Sequence, residues 1–312
     1  MIKYIKEKKA FGGSKMKNGL IIVNKEVGMS SQAVVNRIKR LLCVDKAGHT
    51  GTLDPMATGV LPILVGRGVK ASEFLLTSDK HYRATLRLGI ETDTEDITGT
   101  VISTSDKIPA ENESLEAINS MLGKSMQIPP MYSAIKVGGK KLYDLAREGK
   151  TIERESRPIE IFEIAGKKID GGEYEIDVKC SKGTYIRTLC ADIGKKLGCG
   201  ATMTSLCRRS AAGYPISAAH TLKEIEELSE NEREALIIPI DKIFPDKKDI
   251  VLQPFFSRLA RCGVSLYQRK IGTDIPEGEI VKLGDENGFF ALGQSVISDG
   301  EKMIKPIRQF NV

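Results

Sequence analysis

Cleanly alternating strands, amphipathic helices scattered between them, and a change of character near the C-terminus predict an α+β protein with a small β-rich C-terminal module. In Tyr82 to Leu88, Ala84, Leu86 and Leu88 alternate with Arg83, Thr85 and Arg87. Far along the chain, Tyr174, Ile176, Val178 and Cys180 alternate with Glu173, Glu175, Asp177 and Lys179. Such alternation marks strands buried on one face. Helical spacing of apolar residues appears before, between and after these two segments, and this mixture of distant strands with interspersed helices is that of an α+β fold.

Residues 1–18 form a basic, glycine-containing extension that is expected to be disordered, and Met1 and Met16 are both candidate starts. Gly19 to Lys25 reads as a short buried strand. After a turn at Gly28, Ser30 or Ser31 caps a helix to about Leu42, with Val34, Val35, Ile38, Leu41 and Leu42 apolar and Arg37, Lys39 and Arg40 on its other face. Gly48 to Gly68 is rich in glycine, proline and threonine and has no clean period, so it reads as a loop, where function concentrates.

An amphipathic stretch near 113–123 precedes Gln127 to Gly149, which carries Lys136, Lys140, Lys141 and Arg147 among prolines and tyrosines. Thr184 to Leu197 reads as a helix stopped by Gly198. Leu222 to Leu236 reads as one helix with a solvated acidic face. A linker, Phe244 to Asp249, leads into residues 250–312, where Glu279–Leu283 and Gly288–Gly293 flank a turn as in a hairpin.

Composition excludes several classes. The chain of 312 residues is 41% hydrophobic and 28% charged, ordinary for a globular protein that needs no disulfide or metal to close its core. No apolar run approaches the roughly 18 residues of a membrane helix, and no apolar segment follows the basic N-terminus as in a secretory signal. The six cysteines (43, 180, 190, 199, 207, 262) form no CxxC pair and fit no zinc spacing, and the three histidines are scattered. Reduced thiols in a cytoplasmic protein without a metal are therefore expected. The formal net charge is +6, and residues 1–40 hold ten basic and two acidic residues, which hints at a polyanionic partner.

The most informative stretch is Gly48-His49-Thr50-Gly51-Thr52-Leu53-Asp54-Pro55-Met56-Ala57-Thr58-Gly59-Val60-Leu61-Pro62. Its glycines allow close backbone approach to a ligand, and Pro55 biases Asp54 toward an extended conformation. No Gly-Lys-Ser/Thr follows, so it is not a phosphate loop. Taken alone, Asp54 would be read as a turn-capping aspartate.

This stretch resembles the signature of the TruB family of tRNA pseudouridine synthases. The resemblance recurs in order at Gly19–Lys25 with Gly28 and Ser31, at Asp79–Ala84, at Gln127–Lys136 with Gly139–Tyr143, at Cys180–Arg187, and at Leu206–Ser210. It covers roughly residues 19–215. Glu26 stands where the family usually has proline, and Ser30-Ser31 where it has Thr-Ser.

The resemblance implies a mixed, mainly antiparallel catalytic sheet with flanking helices (residues 19–245). It also implies an RNA-gripping insertion at about 127–150 and a PUA-like RNA-binding module at 250–312. It implies isomerisation of uridine 55 in the T-arm loop of tRNA after base flipping, by a cytoplasmic monomer needing neither cofactor nor protein partner. Asp54 becomes the nucleophile, Arg187 its paired cation, and Tyr82 the ring that stacks on the target base. Tyr185 and Leu206 line the uridine pocket, His49 contacts the flipped-out nucleotides, and Lys25 lies near the site as a structural or phosphate-contacting residue. The basic residues of the first helix and of the insertion would contact phosphates. A catalytically inactive RNA-binding protein or tRNA-folding chaperone on the same scaffold is the alternative, and a nucleoside hydrolase using Asp54 is a second.

Overall fold

The computed structural model describes residues 17–133 and 135–310. The basic extension up to residue 16 and the choice of start lie outside them. The large sheet is built from β1 (Gly19–Lys25), β2 (Ala47–His49), β3 (Thr58–Val65), β4 (Lys80–Leu88), β5 (Gly123–Gln127), β6 (Arg157–Asp170), β7 (Glu173–Cys180), β8 (Ala201–Ala211) and β9 (His220–Thr221). Its order is β9-β1-β3-β8-β4-β7-β6-β5, with β2 paired to β3 and two short segments at its margins. All pairings among these strands are antiparallel except β1 with β9 and β3 with β8. No helix among the described residues is long and apolar enough to cross a membrane.

The helices α1 (Ser31–Leu41), α2 (Glu111–Asn119), α3 (Leu142–Arg147) and α4 (Ile186–Leu197) intervene. Ser30 caps α1 by accepting from the Ala33 amide, and Gly198 ends α4 in the left-handed region at φ 71°. Val34, Val35 and Ile38 of α1 and Ile186, Leu189, Cys190 and Ile193 of α4 pack with Ile21, Val23, Leu61, Ile63 and Val65 into one core. Leu20, Ile22, Val60 and Leu64, the alternate residues of β1 and β3, form a second core with Ile240, Ile243, Phe244, Leu292 and Phe310.

The second core explains a departure from the sequence reading. Residues 58–65, expected within a loop, form the central strand β3. A strand covered on both faces has no polar side and therefore no period of two. Pro62 within it pairs opposite Ile22, and its carbonyl accepts from the Thr50 amide. A second departure is at Leu222 to Leu236, which is two helices, α5 (Leu222–Glu227) and α6 (Glu230–Ala235). Ser229 starts the second with a capping box to Glu232, and this local bonding outcompetes continuation of the first.

The C-terminal sheet comprises β10 (Asp249–Val251), β11 (Leu266–Tyr267), β12 (Ile280–Asp285), β13 (Gly288–Ser298) and β14 (Glu301–Gln309), in the order β10-β12-β13-β14-β11, with α7 (Pro254–Arg261) against it. The linker's first residue, Phe244, is not free. Its ring lies edge-on to Phe74 at 5.8 Å and tilted against Phe310 at 6.3 Å.

Candidate active site

The segment Gly51–Ala57 lies between β2 and β3 and is held by its backbone from three directions. From below, Ser31 Oγ, at the first turn of α1, accepts from the Leu53 amide and donates to the Leu53 carbonyl, at 2.8 and 2.9 Å. From β1, the Lys25 ammonium donates to the carbonyls of Glu26 (2.9 Å), Pro55 (3.2 Å) and Ala57 (2.5 Å). From β8, Arg208 donates to the carbonyls of Gly51 (3.1 Å), Thr52 (3.4 Å) and Val60 (2.7 Å). The Gly28 amide adds a bond to Pro55 at 2.7 Å. With the chain fixed on either side of it, Asp54 projects its side chain, which is 36% exposed.

Arg187 meets that carboxylate. It is the second residue of α4, reached through Gly183 at φ 82° and an extended Tyr185. Its Nε lies 3.1 Å from Asp54 Oδ2, while its own side chain is only 6% exposed. Nη1 donates to Asp96 Oδ2 (3.3 Å) and the Thr94 carbonyl (3.1 Å), and Nη2 to the Tyr132 carbonyl (2.8 Å). A guanidinium with every edge engaged presents one fixed direction to the carboxylate. Burial pushes the Asp54 carboxyl up, above the usual carboxylate pKa range. Arg187 opposes that shift, Asp96 adds to it and Lys25 opposes it.

The other expected residues gather around this pair. Tyr82, on β4, is almost fully buried, and its register partner on β8 is Arg208, whose charge acts on its hydroxyl. Tyr185 is clamped through its backbone by the Gln127 side chain, with the amide donating to Oε1 at 2.8 Å and the carbonyl accepting from Nε2 at 3.1 Å. Leu206 lies on β8 in the same apolar cluster as Leu53 and Tyr82. His49 ends β2, and its Nδ1 accepts from the Gly51 amide at 3.3 Å. Burial first, and Arg208 second, push its imidazole below the ordinary histidine range, so the ring is neutral at pH 7.

Lys25, expected near the site in a structural or phosphate-contacting role, has the contacts of the structural one. It is fully buried, and its ammonium is committed to the three carbonyls. Desolvation brings it down to about 8. It is a support beneath the segment, out of reach of a phosphate. Of the first-helix cations, Arg37 is bonded to Glu226 of α5 at 2.6 Å.

Sequence reasoning did not single out Asp96, Arg208 or Gln127 as individual residues. Asp96 is 4% exposed, and its second oxygen accepts from the Thr94 hydroxyl and the Thr98 amide. The Thr-x-Asp-x-Thr pattern is its signal, though it is also that of any tight turn. Arg208 stood inside a short motif beside Arg209, and nothing local separates the buried arginine from its half-exposed neighbour.

Known proteins resemble the chain over most of its length. Residues 39–186 match the model for the TruB family pseudouridylate synthase N-terminal domain, and residues 187–245 match the tRNA pseudouridylate synthase B C-terminal domain. A tRNA pseudouridine synthase B of Francisella tularensis subsp. novicida (strain U112) is 45% identical over 280 residues, covering 89% of this chain and 91% of its own. The protein of the same name from Clostridium tetani (strain Massachusetts / E88) is 44% identical over 289 residues, covering 92% and 99%. A chain in the crystal structure of a Cbf5-Nop10-Gar1 complex superposes with a TM-score of 0.71 at 25% identity, over 94% of this chain and 84% of that one. The chain, with its mostly antiparallel sheet and its aspartate–arginine pair between β3 and α4, belongs to the TruB family of tRNA pseudouridine synthases, which are isomerases.

Proposed function

We propose that this enzyme isomerises uridine 55 in the T-arm loop of tRNA, with Asp54 as its nucleophile. The observation that supports this most is the Asp54–Arg187 pair, a solvent-reaching carboxylate held by an almost buried cation. The reaction breaks the bond between C1′ and N1, turns the base over and joins C5 to C1′. The proton leaves C5 and N1 regains one, so atoms balance with no redox step. A hydrolase commonly uses two carboxylates, one to protonate a leaving group and one to attack or activate water. A synthase that returns the base to its sugar is served by a single carboxylate nucleophile in a site closed to water.

In this reading Arg187 keeps Asp54 ionised and oriented, Tyr82 stacks on the extruded base, and Tyr185 and Leu206 wall the pocket. His49, as a neutral imidazole, contacts the flipped-out nucleotides by hydrogen bonding. Residues 127–150 and the C-terminal module, PUA-like in this reading, grip the RNA through phosphates.

Release of tritium from a C5-tritiated tRNA transcript tests the reading, because isomerisation frees that label and binding does not. Asp54→Asn is expected to bind tRNA as wild type does and to lose turnover by about a thousandfold or more. Substantial residual turnover would remove Asp54 from the nucleophile's role. An unmodified T-arm stem-loop beside modification of other RNAs would overturn the substrate.

A further inference from the structure

Arg208 is the largest fully buried side chain among the described residues, and it is 1% exposed. Its backbone occupies the middle of the sheet, in register with Gly59 of β3 on one side and Tyr82 of β4 on the other. Its guanidinium crosses under the nucleophile segment and bonds the carbonyls of Gly51, Thr52 and Val60. Arg208 and Tyr82 are opposite partners on neighbouring strands, so their side chains share one face of the sheet, and the guanidinium charge counters the upward push of burial on the Tyr82 hydroxyl. A buried cation is costly unless its donors find acceptors, and here two carbonyls of the segment that carries Asp54 and one of β3 supply them. Among the described residues no carboxylate pairs with Arg208.

We propose that Arg208 is a positioning residue that sets Asp54 and Tyr82 in one frame, fixing the nucleophile segment through the Gly51 and Thr52 carbonyls and the base-stacking ring through its hydroxyl. The inference rests on the function proposed above. Asp54 attacks only if its carboxylate and the stacked base hold a fixed separation, and these two residues lie on different elements. Arg208 bonds the segment that carries Asp54 and stands opposite Tyr82 across β8 and β4. A lysine has one ammonium in place of a planar fork and cannot reach all these acceptors at once.

The test uses the full chain with Arg208→Lys, Arg208→Met, Tyr82→Phe and the Arg208→Lys/Tyr82→Phe pair. Single-turnover pseudouridine formation and tRNA affinity are measured separately, and circular dichroism identifies folded variants. Arg208→Lys is expected to lower the single-turnover rate about a hundredfold with tRNA affinity unchanged, the scale of an ångström-sized misplacement. In the Tyr82→Phe background its effect is expected to be smaller, because part of what it positions is already lost. A wild-type rate in Arg208→Lys, a rate that falls only in step with affinity, or effects that multiply independently in the pair would overturn the proposal. If both arginine variants unfold, Tyr82→Phe decides, since a full rate there removes the link to Tyr82. Active Asp54→Asn would instead overturn the nucleophile assignment, whereas inactive Asp54→Asn beside fully active Arg208→Lys would overturn only the role of Arg208.

Discussion

Asp54 lies within the reach of three charged groups that act on it in opposite senses, and this makes its titration a sensitive probe. A nucleophilic carboxylate works ionised, so the rate rises with pH as Asp54 loses its proton. Since burial pushes its pKa up, that rising limb is expected above the range of a free carboxylate. Arg187→Gln removes the cation that opposes this shift, so the limb should move to higher pH, with a large fall in maximal rate and little change in tRNA affinity. Asp96→Asn removes a like charge, so its limb should move to lower pH. Pre-steady-state rates across pH 4–8 decide, and shifts in the reverse directions would contradict the charge arrangement. The Asp54 motif was legible in the sequence through its resemblance to a known family's signature, since residue types alone read Asp54 as a turn cap. The partner Asp96 was not, because it is defined by bonds to Thr94, Thr98 and Arg187 that turn chemistry alone does not announce.

At the scale of elements, the close approach of β3 to β8 is what brings Arg208 beneath the nucleophile segment. Gly59 makes it possible. A Cβ there would sit 2.3 Å from the Arg208 carbonyl oxygen, and its φ of 100° disfavours any side chain. Gly59→Ala should therefore destabilise the fold by about 1–3 kcal/mol from overpacking alone, with more from the backbone angle. Urea denaturation measures it, and a midpoint equal to wild type would mean that β3 and β8 do not meet as described. The alternating strands β4 and β7 and the helices α1 and α4 could be read directly, since each has one buried face. The strand β3 could not, since its two faces are covered by elements at opposite ends of the chain.

At the scale of the molecule, the catalytic sheet and the C-terminal sheet share a core rather than a flexible joint. Phe310, the last described residue, is fully buried between Phe244 and Phe289, with ring centroids at 6.3 and 5.4 Å. Arg308 pairs with Glu73, and Lys70 donates to the Gln309 carbonyl, tying the same seam at its rim. Phe310→Ala is expected to cost about 3–5 kcal/mol. It should lower the unfolding temperature of both sheets together in calorimetry, and a shift confined to one of two resolved transitions would show that they are energetically separate.

By itself the sequence determined the α+β class, the principal amphipathic elements and the motif around Asp54, because periodicity and residue type act over short stretches of chain. The tertiary structure alone decided that Lys25 is buried support, that Arg187 answers to Asp96, and that Arg208 bonds the segment carrying Asp54. Each of those relations is a contact between residues distant in the chain, and a lone lysine or arginine looks the same in sequence whether it ends in water or on a buried carbonyl.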